Sequence, residues 1–190
     1  MSINVLKKSF ENVPIVKKGD YDYVIHPITD GVPYIEPGLL GEVVQEIKKR
    51  VETVLPFDKI VTIEAMGIPI ASVLSMEMKI PFTIIRKRSY SLPGEVIVKQ
   101  ETGYSKSNLY INGLSRGDKV VIVDDVLSTG GTLRAVLSSL KQMGVIVKGV
   151  FIAVSKGGDV SKEIEKEFNI SIDTVIGIDV VNGRVVVKNI

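Results

Sequence analysis

A chain of 190 residues, 45% apolar and 24% charged, is long enough to bury one full core and has a globular balance. A net charge of +2 argues against bulk attraction to nucleic acid or to a membrane surface. The absence of cysteine excludes disulfides, thiolate catalysis and Cys-ligated zinc, and a single histidine disfavours a His-rich metal site or a Ser–His triad. Lys7 and Lys8 are not followed by an apolar signal-peptide core, and no apolar run approaches the ~18 residues of a membrane helix, so a cytoplasmic protein is expected. Many Ile, Val, Lys and Glu with no Cys or Trp is a composition met in thermophiles.

No internal repeat or low-complexity tract interrupts the chain. In residues 1–36, Val5, Leu6 and Phe10 suit a short amphipathic helix, and Tyr21, Tyr23 and Ile25 alternate as in a short strand. Pro27, Gly31, Pro33 and Pro37 then break the chain, the pattern of a small flap outside a main sheet. His26 lies in this flap; a lone histidine is more often packed or on the surface than in contact with a ligand. Asp30-Gly31 reads as a turn.

From Pro37 an α/β pattern takes over. Leu39, Leu40, Val43, Val44, Ile47 and Val51 form a helical stripe behind a proline suited to a first turn. Ile60–Ile63 is a strand, Glu64-Ala65-Met66-Gly67-Ile68-Pro69 the turn after it, and Ile70, Val73, Leu74 and Met78 a second helix. Phe82–Ile85 is a strand that leads into Arg86-Lys87-Arg88, and Val96–Gln100 and Leu109–Ile111 read as two strands around Thr102-Gly103-Tyr104-Ser105. Three adjacent cations are as readily a solvated cluster as an anion site. A long polar excursion from a compact domain is usually a lid or binding loop. Val120–Val123, Val145–Val154 and Ile172–Ile178 are further strands, with helices near 132–143 and 159–167. Val181-Asn182-Gly183-Arg184 is a hairpin turn whose arms are expected to pack against the N-terminal flap. Strands alternating with helices predict an α/β fold with a doubly wound, mainly parallel sheet and ligands at the carboxyl ends of its strands.

The most informative stretch is Val120 to Thr132. A β-branched run without alternation suits a strand buried on both faces, and Asp124 and Asp125 follow at its carboxyl end. Ser128, Thr129, Gly130, Gly131 and Thr132 then make a hydroxyl- and glycine-rich turn before a helix. Backbone N–H groups and the positive end of the helix dipole favour an anion there. The two acids would repel a phosphate; they suit ribose hydroxyls or a bridging Mg²⁺. An ordinary strand-to-helix turn with capping hydroxyls is the plainer alternative. There is no Gly-Lys-Ser/Thr of a Walker loop and no G-x-G-x-x-G after a strand.

Four apolar residues, two acids, two apolar residues and a loop ending T-G-G-T resemble the phosphoribosyl pyrophosphate (PRPP) motif of the type I phosphoribosyltransferases. Pro14-Ile15-Val16, the segment Ile25 to Pro33, Ala65-Met66-Gly67-Ile68 and Thr102-Gly103-Tyr104-Ser105 are similar to the archaeal hypoxanthine/guanine phosphoribosyltransferases. Adenine-type enzymes carry arginine where this chain has Met66, a methionine the archaeal group shares, and Glu-Tyr-Gly where it has Gly103-Tyr104-Ser105. A role assigned to that glutamate does not transfer.

The resemblance implies a core over 37–177 with a flexible β-loop over 87–107, and a small hood from 1–36 and 178–190 covering the base. It implies transfer of ribose 5-phosphate from PRPP to hypoxanthine or guanine, giving IMP or GMP and pyrophosphate, with Mg²⁺. Asp124 and Asp125 would be catalytic, holding the ribose hydroxyls and Mg²⁺. Ser128, Thr129, Gly130, Gly131 and Thr132 would hold the 5′-phosphate. Ala65, Met66 and Gly67, with Arg86, Lys87, Arg88 and Tyr104, would hold pyrophosphate. Tyr23 and His26 are expected near the base. A homodimer is implied, whose partner subunit could replace the cation missing at Met66. Adenine as the base, then xanthine or a pyrimidine, and a non-catalytic PRPP-binding regulator are the alternatives. Such regulators usually append a DNA-binding domain, and no helix-turn-helix fits into residues 1–36.

Overall fold

A computed structural model describes residues 3–19, 21–102 and 105–188. The chain opens with helix α1 (Asn4–Ser9), strands β1 (Ile15–Lys18) and β2 (Tyr21–Val24) and the one-turn helix α2 (Pro27–Asp30). Helix α3 (Pro37–Val51), β3 (Lys59–Ile63), α4 (Gly67–Met78) and β4 (Phe82–Ile85) follow, then β5 (Val96–Thr102) and β6 (Ser105–Ile111). β7 (Lys119–Leu127), α5 (Gly131–Met143), β8 (Ile146–Lys156), α6 (Val160–Phe168), β9 (Ile172–Val181) and β10 (Arg184–Lys188) complete the described chain.

The main sheet has the order β10-β9-β8-β7-β3-β4 and is parallel except for β10, which pairs antiparallel with β9. The chain leaves β3 toward β4 and later builds outward from β7 toward β10. Strand order therefore reverses between β3 and β7, where an open α/β sheet leaves a crevice at its carboxyl edge. Val120 to Val123 and Val150 to Val154 are buried on both faces, which is why they show no alternation. One face carries α1, α3 and α4 over a core that includes Leu6, Val43, Ile47 and Leu74. The other carries α5, α6 and the β5–β6 hairpin over Ile122, Val136, Leu140 and Ile164. Burying each such side chain stabilises the fold by about 1.5–3 kcal/mol.

Three elements differ from expectation. β7 does not end at the acids but runs through them to Leu127, paired with β8. The tail hairpin extends the main sheet, with β10 as its antiparallel edge; Val185 and Val187 pack on the cluster that also holds Leu6 and Val24. The excursion after β4 is not wholly a surface loop, because Val98, Leu109 and Ile111 are buried against α5. A bridge between Arg86 and Tyr110 ties the end of β4 to β6.

Candidate active site

Pairing between β3 and β7 stops at Val61 and Ile122, whereas pairing between β7 and β8 continues from Asp124 opposite Ile152 to Leu127 opposite Ser155. Asp124 and Asp125 thus stand where β7 has lost its β3 neighbour. Asp125 is buried and Asp124 half-buried. The Asp125 N–H donates to Asp124 Oδ1 at 3.0 Å. Burial, and then the charge of Asp125, pushes the Asp124 carboxyl well above the usual range. Burial pushes Asp125 up to about 6, against a hydrogen bond from Asp124 that pulls it down. Two carboxyls so placed are poised for cationic company.

Directly beyond them the 128–132 turn and the first residues of α5 wall a cavity of about 190 Å³, lined also by Asp124 and Ile152. Gly130 is the N-cap of α5 and no side chain caps that end, so the positive end of the helix dipole favours an anion there. Gly130 has φ +75°, and a Cβ there would lie 2.6 Å from Ile164 Cδ1. Its glycine is thus required by packing on α6 as well as by the turn. Arg134 supports the turn from behind: it donates to the Thr129 carbonyl at 3.2 Å and to Glu167 and Glu163 of α6 at 2.8 and 3.0 Å.

The turn after β3 faces the acids across the crevice. A Cβ on Gly67 would lie 2.5 Å from Asp124 Oδ1, so only glycine lets this turn close on β7. Glu64 accepts from Arg86 Nε at 2.9 Å and from the Lys87 N–H at 3.0 Å. The Lys87 N–H, then Arg86, holds its carboxyl below the usual range in spite of partial burial. The Met66 side chain lies against Gly31 of the flap, 3.3 Å from where a Cβ would stand.

Arg86 is therefore paired with Glu64 instead of projecting as a free cation. Arg88 lies 5.4 Å and Arg86 5.8 Å from the centre of the Tyr90 ring. Glu95 holds this loop: it accepts from Asn112 Nδ2, Ser89 Oγ and the Tyr90 and Ser91 N–H groups, which pull its carboxyl down to about 2. Tyr104 lies outside the described residues.

In the flap, Tyr23 donates to Asp30 Oδ1 at 2.6 Å, and Asp30 also accepts from Thr29 Oγ1 and the His26 N–H. Asp30, read from sequence as part of a turn, is the hub of the flap. His26 does not face the crevice. Its ring is fully buried and stacks on Phe10 at 3.8 Å. Nδ1 accepts from the Ile28 N–H at 3.2 Å, and Nε2 meets Ser9 Oγ at 2.9 Å while that hydroxyl donates to Leu6 O. The network therefore assigns the neutral Nε2–H tautomer, and burial lowers the pKa to about 4. Both nitrogens are engaged, so the expectation of a base contact at His26 is withdrawn: its role is to hold the flap together.

Lys156, which the sequence reading passed over, ends β8. Its Nζ lies 5.0 Å from the Tyr23 ring centre and 3.4 Å from the Val24 carbonyl. Burial lowers its pKa, opposed by the charges of Asp30 and Asp125. Asp22, Lys156, Gly157 and Asp179 line a cavity of about 240 Å³ between β2 and the ends of β8 and β9. The signal for Lys156 was its position at the carboxyl end of a buried strand.

The model of the phosphoribosyl transferase domain matches residues 39–167, which include both acids, the cup formed by the 128–132 turn and the start of α5, and the turn at 64–67. The chain belongs to the phosphoribosyltransferase family. As a phosphoribosyltransferase it is an enzyme of the glycosyltransferase type. It is 49% identical to the hypoxanthine/guanine phosphoribosyltransferase of Methanothermobacter thermautotrophicus, over 99% of this chain and 96% of that one. It is 51% identical to the protein of the same name from Methanocaldococcus infernus, over 96% and 99%. Among solved structures, adenine phosphoribosyltransferase from Thermoanaerobacter pseudethanolicus superposes with a TM-score of 0.76 at 22% identity, covering 93% of this chain and 99% of that one. The Saccharomyces cerevisiae adenine enzyme gives 0.74 at 23% identity, covering 91% and 97%. These two likenesses establish the type I phosphoribosyltransferase fold.

Proposed function

We propose that the protein salvages 6-oxopurines, transferring ribose 5-phosphate from PRPP to hypoxanthine or guanine with release of pyrophosphate. The observation that carries the reading is the convergence, on one crevice of the sheet, of an uncapped helix start, a buried and a half-buried acid, and a glycine turn closed against one of them. In this reading the cup binds the 5′-phosphate, converting remote binding energy into orientation at C1 of the sugar. Asp124 and Asp125 hold the ribose hydroxyls and favour the cationic sugar as the C1–O bond breaks. The 64–67 turn, braced by Glu64 and Arg86, receives the leaving pyrophosphate.

Two carboxylates fit Mg²⁺ only in part. No cluster of three or more His, Cys, Asp or Glu capable of holding a metal occurs among the described residues, so oxygens of PRPP and water would complete the shell around Asp124 and Asp125. When bound, Mg²⁺ supplies positive charge to the leaving polyanion.

The base would enter the cavity between β2 and the ends of β8 and β9. There the Lys156 ammonium is a donor and has no capacity to accept. It matches the 6-oxo group of hypoxanthine or guanine and mismatches the 6-amino group of adenine, which favours the 6-oxopurines over the adenine reading. Lys156→Met is expected to lower kcat/KM for guanine and hypoxanthine about 10- to 100-fold, with PRPP affinity changed much less. Unaltered base kinetics would remove Lys156 from this role. Arg88→Ala is expected to weaken PRPP binding up to about tenfold; an unchanged PRPP titration would return the loop cations to a solvated cluster.

This reading places the enzyme in the cytoplasm as a homodimer, with a partner subunit's cation supplying the contact Met66 lacks. No helix among the described residues is long and apolar enough to cross a membrane. A monomer that still turns over at assay concentration would refute the contact in trans. The decisive assay is a base panel with PRPP and Mg²⁺, read by nucleotide chromatography: IMP and GMP are expected, and AMP as the dominant product would favour the adenine alternative.

A further inference from the structure

Thr62 lies on β3, fully buried, and its hydroxyl oxygen has no hydrogen-bond partner. No other buried side-chain nitrogen or oxygen among the described residues is left in that state. Valine has nearly the same shape and would suit a buried strand without a hydroxyl to satisfy. A buried polar group that the fold leaves unpaired is expected where function asks for it.

The orphan faces the crevice. A Cβ on Gly67 would lie 2.2 Å from Thr62 Oγ1 and 2.5 Å from Asp124 Oδ1. Both oxygens are thus within 2.5 Å of one point, and less than about 5 Å separates them. The space between them is the space that Gly67 leaves empty. Asp124 Oδ1 is already held on its other side by the Asp125 N–H. A rotation of the carboxyl group toward β3 would bring it within reach of a hydroxyl that can only gain by donating.

We infer that Thr62 is a positioning residue for Asp124. Its hydroxyl donates to Oδ1 in the substrate-bound enzyme and fixes the angle at which that carboxylate meets the sugar. The resting enzyme leaves the bond unmade, and substrate completes it. This inference rests on the reading that Asp124 contacts the ribose of PRPP.

The test compares Thr62→Val and Thr62→Ser with the wild type. Thr62→Val is expected to lower kcat about tenfold or more, with KM for PRPP changed less than about threefold and a melting temperature no lower than that of the wild type. Thr62→Ser, which restores a hydroxyl, is expected to recover kcat to within about threefold. If the valine variant fails to fold, Thr62→Ala carries the same comparison with serine. Wild-type kcat in Thr62→Val, or a serine variant as slow as the valine one, would overturn the inference while leaving the enzyme reading intact. A wild type that transfers ribose phosphate to no base would remove the enzyme reading itself, and the role of Thr62 with it.

Discussion

Replacing Asp124 and Asp125 together by asparagine is expected to cut turnover about 100-fold or more, yet to raise the melting temperature at pH 8 by several degrees. The first effect follows from the site. Asparagine keeps shape and hydrogen-bonding capacity but cannot offer negative charge to a cationic sugar or to Mg²⁺. The second follows from burial. Both carboxyls have folded-state pKa values raised above the unfolded ones, that of Asp125 to about 6. Between the unfolded and folded values the native state binds more protons than the unfolded chain, so stability falls as pH rises through that window. At pH 8, above the window of Asp125, the native state bears the cost of keeping that acid charged beside an Asp124 whose ionisation burial disfavours, of the order of 1–3 kcal/mol, which asparagine removes. Near pH 4 both carboxyls are largely protonated in the native state and the difference should shrink toward zero. Melting curves of both proteins from pH 4 to pH 8, beside the nucleotide assay, check the two halves separately. Near-wild-type nucleotide formation would refute the catalytic roles; a gap in stability that does not grow with pH would refute the buried pair.

That opposition between stability and chemistry explains what could be read before the fold was known. The parallel strands were visible because burial on both faces makes Val120–Val123 and Val150–Val154 continuous apolar runs. The cup and the acids were visible because the PRPP motif is contiguous in sequence. What stayed hidden depends on partners far along the chain. Lys156 meets Val24 across 132 positions, Arg86 meets Glu64 across 22, and the nitrogens of His26 find Ser9 and Ile28 only once the flap has folded. A cation and a histidine look functional when their partners are out of view, and Arg86 and His26 are both largely consumed by structure. Thr62 is the converse: an ordinary strand residue by composition, noticeable only because folding leaves its hydroxyl unpaired.

The crevice should be most sensitive to a single methyl group at Gly67. Gly67→Ala places a carbon 2.2 Å from Thr62 Oγ1, 2.5 Å from Asp124 Oδ1 and 3.2 Å from Asp124 Cα. None of these is the loose end of a flexible chain: Thr62 is buried and β-branched on β3, and Asp124 belongs to a strand paired with β8. The turn must therefore back away from β7, or the acid must be pushed aside. Either movement separates the acids from the turn proposed to receive pyrophosphate. Loss of stability of about 1–3 kcal/mol and loss of turnover of about 100-fold or more are expected, measured by denaturant unfolding and by the nucleotide assay. Gly41→Ala is the control, because a Cβ there meets nothing within 4 Å inside α3; it should leave turnover alone and stabilise the helix by up to about 1 kcal/mol. Combining Gly67→Ala with Thr62→Ala removes the nearest obstructing oxygen. The pair should regain part of the lost stability but not the lost turnover, because the clash with Asp124 remains. Full activity in Gly67→Ala would mean that the turn does not close on Asp124 in the working enzyme, and the crevice would have to be built from other residues.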